Sequence, residues 1–258
     1  MTRQERIARL KQIAKERILI LDGSWGVMIQ KMGLEEKDFR ADRFAAHPGQ
    51  LKGNNDILCL TRPDLVAELH TMYFNAGADI SETNTFSATV IAQDDYKLDA
   101  KAVRDINYEG ARIGREVADR FTAREPNKPR FLAGSIGPLN KMLSMSSDVN
   151  DPGARLVDFD EVYHAYRDQI RALNEGGVDL YLIETITDTL NCKAAIKAIT
   201  AQKNLRMRYP SLRTRVTKSK AGILASAGCE SRDVSCQIFG SKASSRVSPG
   251  GFALISVS

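Results

Sequence analysis

Apolar positions in the first 200 residues follow two alternating rhythms, one of helical period and one of short unbroken runs. Ile7, Leu10 and Ile13 recur at helical spacing and predict a helix over residues 3–16. The run Ile18-Leu19-Ile20-Leu21 stops at Asp22-Gly23, and a short apolar run closed by a turn signal predicts a buried strand. Residues 32–56 are polar, carry no period and read as irregular. Thr61-Arg62-Pro63-Asp64 opens the next helix, because a first turn has amides without partners and tolerates proline. Leu65, Leu69, Met72 and Tyr73 set its apolar stripe, His70 reads as a surface or interface position, and Gly77 ends it.

The same alternation continues. Residues 78–86 read as a strand and its exit loop, and Val103, Ile106, Ile113 and Val117 carry a long helix over 99–121. A third strand over 131–137 is stopped by Pro138. Phe159, Val162, Tyr166, Ile170 and Leu173 give a helix over 158–175 that Gly176-Gly177 closes. A fourth strand over 178–185 and a helix over 188–199 follow.

Strands alternating with helices imply parallel pairing through right-handed crossovers, either in a doubly wound sheet or in a barrel. No G-x-G-x-x-G follows the first strand, so the barrel is preferred. The expected fold is α/β, a partial (β/α)8 barrel of four βα units over residues 1–199. Polar residues gather at the carboxyl end of each strand: Asp22, then residues 82–85, then Ser135, then Glu184 and Thr185. In both architectures that edge carries the site.

Charge divides the chain at the same place as pattern. The net charge is +5, yet residues 201–258 hold ten Lys or Arg against two acids, together with eleven serines. Their candidate strands are Ile223-Leu224 and residues 252–257. Residues 200–258 are therefore expected to form a basic, irregular and largely disordered tail. With only Tyr209, Phe239 and Phe252 as aromatics, that tail has no nucleic-acid module, and no specific nucleic-acid partner is expected. No run approaches the roughly 18 apolar residues a membrane span needs. Nor do the charged, amphipathic residues 1–17 read as a leader peptide, and none is expected. Cysteines at 59, 192, 229 and 236 form no disulfide framework, which together with these features suggests a soluble, cytoplasmic protein.

Residues 18–34 resemble the D-G-x-x-G-T-x-[IL] opening of the homocysteine methyltransferase family, with Val27 where the family has Thr. Residues 53–91, with Glu82-Thr83-Asn84-Thr85-Phe86 at their centre, resemble the homocysteine-binding domain of cobalamin-dependent methionine synthase. Residues 131–141 and 178–199 continue the likeness in order and spacing, so that it covers about residues 15 to 199. The resemblance implies methyl transfer to the sulfur of homocysteine, giving methionine. It implies that Asp22 and Glu184 grip the amino group of homocysteine and that Gly23 offers its backbone. Asn84, Thr85 and Ser135 are further substrate-binding candidates, though each is equally a turn or cap residue. Trp25 lies near them as an amphipathic ring.

In that family zinc, held by three cysteines from a G-x-N-C and a G-G-C-C segment, keeps the thiolate nucleophilic, and methylcobalamin on a separate domain supplies the methyl group. Neither cysteine segment occurs here, so the zinc ligands are expected to be absent along with the cobalamin domain. Cys59 reads as core, and Cys192 reads as a helix residue and no ligand. The tail looks like a shifted reading frame or a misjoined exon, and the chain like a truncated, inactive homologue. The alternative is a non-catalytic ligand-binding or interaction protein built on a half barrel, with self-association through its exposed sheet edge.

Overall fold

The computed structural model describes residues 1–206 and, beyond them, the backbone of four short strands. Helix α1 (Arg3–Glu16) begins in a capping box, in which the Thr2 side chain takes the Glu5 amide and the Glu5 side chain takes the Thr2 amide. Strand β1 (Leu19–Ile20) follows. Two short helices, α2 (Trp25–Lys31) and α3 (Glu36–Arg40), come next, and the second makes residues 32–56 less irregular than their polarity suggests. Helix α4 (Leu58–Thr61) leads into α5 (Pro63–Ala76), which starts on the proline and ends at Gly77 with φ 108°, a left-handed cap that suits glycine.

Strand β2 (Ile80–Glu82), the short α6 (Val90–Gln93) and the 25-residue α7 (Ala100–Arg124) continue the chain. Strand β3 (Phe131–Ile136) is buried throughout. Helix α8 (Phe159–Gly176) has a second capping box, Asp158 with Glu161, and closes at Gly177 with φ 103°. Strand β4 (Leu180–Ile183) precedes α9 (Thr189–Arg206), which runs seven residues past Ile199.

The strands β2, β3 and β4 are parallel neighbours, and β1 joins β2 through a parallel bridge from Leu21 to Ile80. This is an α/β fold with a small parallel sheet and many helices, the arrangement of a partial barrel-like domain. Alternate strand residues face opposite sides. Leu132, Ile136, Tyr181 and Ile183 pack outward on Tyr166, Ile170 and Leu173 of α8 and on Ala194, Ala198 and Ile199 of α9. On the other face, Ile80, Phe131, Ala133, Leu180 and Leu182 meet Leu10 and Ile13 of α1. Helix α1 thus covers the lower half of the inner face and leaves the carboxyl ends of the strands free of it.

Two buried aspartates fasten the opposite end. Asp179 takes Arg6 at 2.5 Å and Arg115 at 2.7 Å, and also accepts the Leu132 amide at 3.0 Å. Asp79 takes both terminal nitrogens of Arg17 at 2.7 Å. Both follow a left-handed glycine, in Gly-Ala-Asp and Gly-Val-Asp, and each opens a strand. These are closure contacts at the amino-terminal face, where barrels carry stability.

The buried face of α5 differs from the expected stripe. It consists of Val66, Leu69, His70 and Phe74, whereas Met72 is 42% exposed. His70 is fully buried, so the reading of it as a surface or interface residue is corrected. The stripe is rotated by about one residue because the helix packs over both the sheet and α7.

Most of residues 200–258, on which the disordered-tail expectation falls, lie outside the described residues. The short strands there are β5 (Arg215–Val216), β6 (Ile223–Ser226), β7 (Ser235–Ile238) and β8 (Leu254–Ile255). Strand β6 pairs antiparallel with β4, and β8 pairs parallel with β1. A barrel continuing past β4 would place a parallel strand there instead. Among the described residues no helix is long and apolar enough to cross a membrane.

Candidate functional site

Register fixes what stands at the carboxyl edge. Glu82 is level with Ala133, and Ser135 with Leu182, so Glu82, Ser135 and Glu184 fall on the face that carries Ile80, Phe131 and Leu180 lower down. They line a cleft of about 390 Å3 whose walls include Trp25, Asn54, Asp56, Asn84, Phe86 and Tyr96. Ser135 Oγ donates to Glu184 Oε1 across 2.5 Å. Thr185, the next residue, has φ 55°, an uncommon conformation for a β-branched side chain and one that concentrates at functional sites.

Asp22 does not line the cleft but is buried against Trp25 and Glu82, which do. Its Oδ2 accepts three donors: Ser81 Oγ at 2.6 Å, the Glu82 amide at 2.9 Å and Trp25 Nε1 at 2.9 Å. Its Oδ1 is buried and has no partner. Burial pushes the Asp22 carboxyl up to about 7, against the pull of its three donors, and the Glu184 charge adds to the rise. Glu82 is pushed well above the usual carboxylate range by burial first and then by the charges of Glu184 and Asp22. Glu184 is raised by burial, with hydrogen bonds from Ser135 and Glu82 opposing. Among the described residues no Lys or Arg forms an ion pair with any of the three. Three mutually repelling acids without a cation are costly, and such clusters concentrate where a ligand supplies the charge.

Behind Asp22, His70 Nδ1 lies 2.7 Å from Ser81 Oγ. Since the Ser81 hydroxyl donates to Asp22, the ring must donate from Nδ1, which leaves Nε2 the unprotonated nitrogen. Burial lowers His70 to about 3 and keeps it neutral. The indole of Trp25 stands edge-on to this ring at 4.6 Å.

The structure brings Asn84, Ser135 and Glu184 together on the cleft wall, with Asp22 buried beside it. Gly23 follows Asp22 in the turn and does not line the cleft. Thr85 is fully buried; its hydroxyl pairs with that of Thr83 at 2.6 Å and donates to the Ser135 carbonyl at 3.0 Å. It therefore ties the exit loop of β2 to the end of β3. Asn84 spends its amide on the Asn55 carbonyl at 2.7 Å. Gly137 makes that loop contact possible, since a Cβ there would meet the Phe86 carbonyl at 2.3 Å.

Sequence reasoning placed Glu82 at the strand edge without naming it a site residue, and left out Asp56 and Ser81. Glu82 was visible as the acid that ends β2, in the same position as Glu184 at the end of β4. Asp56 is buried and pushed up to about 7 by desolvation; it accepts the Ser87 amide at 2.8 Å and holds the loop after β2. A lone Asp in a polar stretch gives no signal of that burial.

Cys59 lies under the cleft, where its thiol donates to the Asn84 carbonyl at 3.3 Å and burial pushes it far up. Cys192 is half-buried in α9. Among the described residues no group of three or more His, Cys, Asp or Glu is placed to hold a metal ion. These residues do not fit the zinc that the family resemblance implies, and no step is derived through it.

A small parallel α/β sheet with an acid-lined cleft at its strand ends is the arrangement of a partial barrel-like domain, whose sites lie at that edge. The family model for homocysteine S-methyltransferases matches residues 19–235, and the chain belongs to that family. Two solved structures of the homocysteine methyltransferase MmuM from Escherichia coli are similar to it. The oxidized form is 22% identical with a TM-score of 0.56, covering 77% of this chain and 63% of that one. The metallated form is 23% identical with a TM-score of 0.57, covering 79% and 66%. At this identity the likeness concerns the fold, and the chain spans less than two thirds of the length of these relatives. The family match extends past Ile199, beyond the residues whose motifs carry the resemblance.

Proposed function

We propose that this chain is the first four βα units of a homocysteine methyltransferase barrel and that it binds homocysteine by its ammonium group at the strand-end acids. The observation that carries this reading is the gathering of Glu82 and Glu184 on the cleft with Asp22 buried beside them, none of the three ion-paired to a Lys or Arg among the described residues. An ammonium there gains charge-assisted hydrogen bonds from groups already desolvated. Ser135 orients Glu184, Trp25 and Ser81 orient Asp22, and the sulfur-bearing arm extends toward the Asn84 and Tyr96 wall.

Methyl transfer to sulfur needs the thiolate, since the thiol attacks poorly. A free thiol of pKa about 8.5 is only a few per cent ionised at neutral pH. Among the described residues no group of three or more His, Cys, Asp or Glu is placed to hold a metal ion that would ionise it. We therefore propose that these 258 residues alone hold the amino acid without methylating it at a useful rate.

The test is equilibrium dialysis of labelled L-homocysteine against the wild type and Glu184→Gln, together with a methionine assay using free methylcobalamin. Saturable binding that weakens at least about tenfold in the variant, the loss of one charge-assisted contact, is expected. No methionine above the protein-free rate is expected either. Undiminished binding by Glu184→Gln contradicts the site, and methionine formation contradicts the silence.

A further inference from the structure

Glu82 and Glu184 end β2 and β4 on the same face of the sheet, flank Ser135 and line one cleft. Two desolvated carboxylates facing one space repel each other, so burial favours a proton on the pair. Glu82 also gives its backbone amide to Asp22, which sets that acid beside the pair. The buried, partnerless Asp22 Oδ1 is an independent sign that something is to be received there.

We propose that Glu82 is a third recognition residue for the ligand's ammonium, and that this ammonium replaces the proton held by the pair Glu82 and Glu184, so that binding releases that proton to solvent. The inference rests on the homocysteine-binding reading and adds a specificity device to it. The site recognises a fixed positive charge because only such a charge can take the place of the proton. A neutral or anionic group at the same position would leave the proton where it is.

The neighbours support the linkage. From α5, Tyr73 and the neutral His70 face the acids, and Tyr73 is itself raised by burial and by Asp22 and Glu82. Trp25 of α2 and Ser135 of β3 donate hydrogen bonds but carry no charge. Asp56 and Tyr96 stand on the far wall, and both are raised. Arg6 of α1 and Arg17 just after it are spent on Asp179 and Asp79 at the sheet's other end. Every titratable neighbour named here is acidic or neutral, so burial of the three acids favours holding a proton until a cation arrives. The exchange is balanced: one ammonium enters, one proton leaves, and the charge of the cleft is unchanged.

The experiment is calorimetric titration of the full chain at pH about 6.5 in two buffers of different ionisation enthalpy, where the difference in heat counts protons. L-homocysteine is one probe. L-methionine is the second, because its thioether has no proton to lose, and 4-(methylthio)butanoate, which lacks the amine, is the third. Release of about one proton per L-homocysteine and per L-methionine is expected, with none for the amine-free compound. In Glu82→Gln the release should fall below half while the fold, followed by circular dichroism, persists. Binding of both amino acids with no buffer dependence overturns the inference and leaves the homocysteine-binding reading standing. No binding by folded wild type in either buffer overturns both. The wild-type comparison stands whether or not the variant folds.

Discussion

The Ser81 hydroxyl donates to Asp22 Oδ2 across 2.6 Å and in doing so couples a buried histidine on α5 to the acid at the end of β1. A hydrogen bond to a charged group contributes roughly 1.5–3 kcal/mol. Ser81→Ala should therefore weaken L-homocysteine binding by about ten- to a hundredfold. It should also raise the pH at which Asp22 ionises. Calorimetric affinities across pH 5.5 to 8 check both, and an unchanged affinity would show that Asp22 does not need this donor.

His70 predicts an acid-sensitive fold. Its folded pKa, about 3, lies below the ordinary histidine value of about 6.5. Such a group contributes stability that is present above pH 6.5 and is lost as pH falls toward 3. In His70→Gln, which keeps a polar atom near Ser81, that loss over pH 6.5 to 4 should become shallower. Urea midpoints at several pH values measure it, and identical slopes in the two proteins would contradict the assignment.

The three strand-end acids have the opposite sign. Their folded pKa values are raised, so their contribution to stability is complete below about pH 4 and is lost as pH rises through those raised values, about 7 for Asp22. Glu82→Gln, which removes one acid without removing its volume, should raise the thermal midpoint at pH 7.5 and leave it nearly unchanged at pH 4. Differential scanning calorimetry checks the pair of conditions. A lower midpoint at pH 7.5 would mean that the acids are compensated in the free protein.

Asp179 should behave as a pure stability residue. It is fully buried between Arg6 and Arg115, and removing one partner of a buried pair costs about 3–5 kcal/mol by leaving the other charge unpaired. Asp179→Ala should lower stability by about that amount, and whatever folds should still bind L-homocysteine with unchanged affinity. Loss of affinity in folded variant would tie the two ends of the sheet together.

Where local chemistry decides, the sequence was explicit. Pro63 and Gly77 bracket α5, Asp158 and Gly177 bracket α8, and the acid that ends β4 is where the strand run predicts it. Long amphipathic helices such as α7 have buried faces of many residues, and Val103, Ile106, Ile113 and Val117 were readable for that reason. Shorter pieces were not. Helix α2 buries only Trp25 and Ile29, too few for a period to show, and its cap, Ser24, is an ordinary turn residue in sequence. His70 was missed because its burial depends on the pairing with Ser81, a contact between a helix and a strand that no spacing encodes. The separate duties of Thr85 and Asn84 are likewise tertiary: each hydroxyl or amide finds a backbone carbonyl from another loop.

The central claim is that the strand-end acids bind homocysteine through its amine. Its most direct test is the ratio of dissociation constants for L-homocysteine and 4-mercaptobutanoate, the same molecule without the amine, measured by calorimetry on the wild-type chain at neutral pH. If the acids bind the ammonium, L-homocysteine should bind at least about a hundredfold more tightly, the loss expected when buried charged groups are left unpaired. Equal affinities for the two compounds would contradict the account.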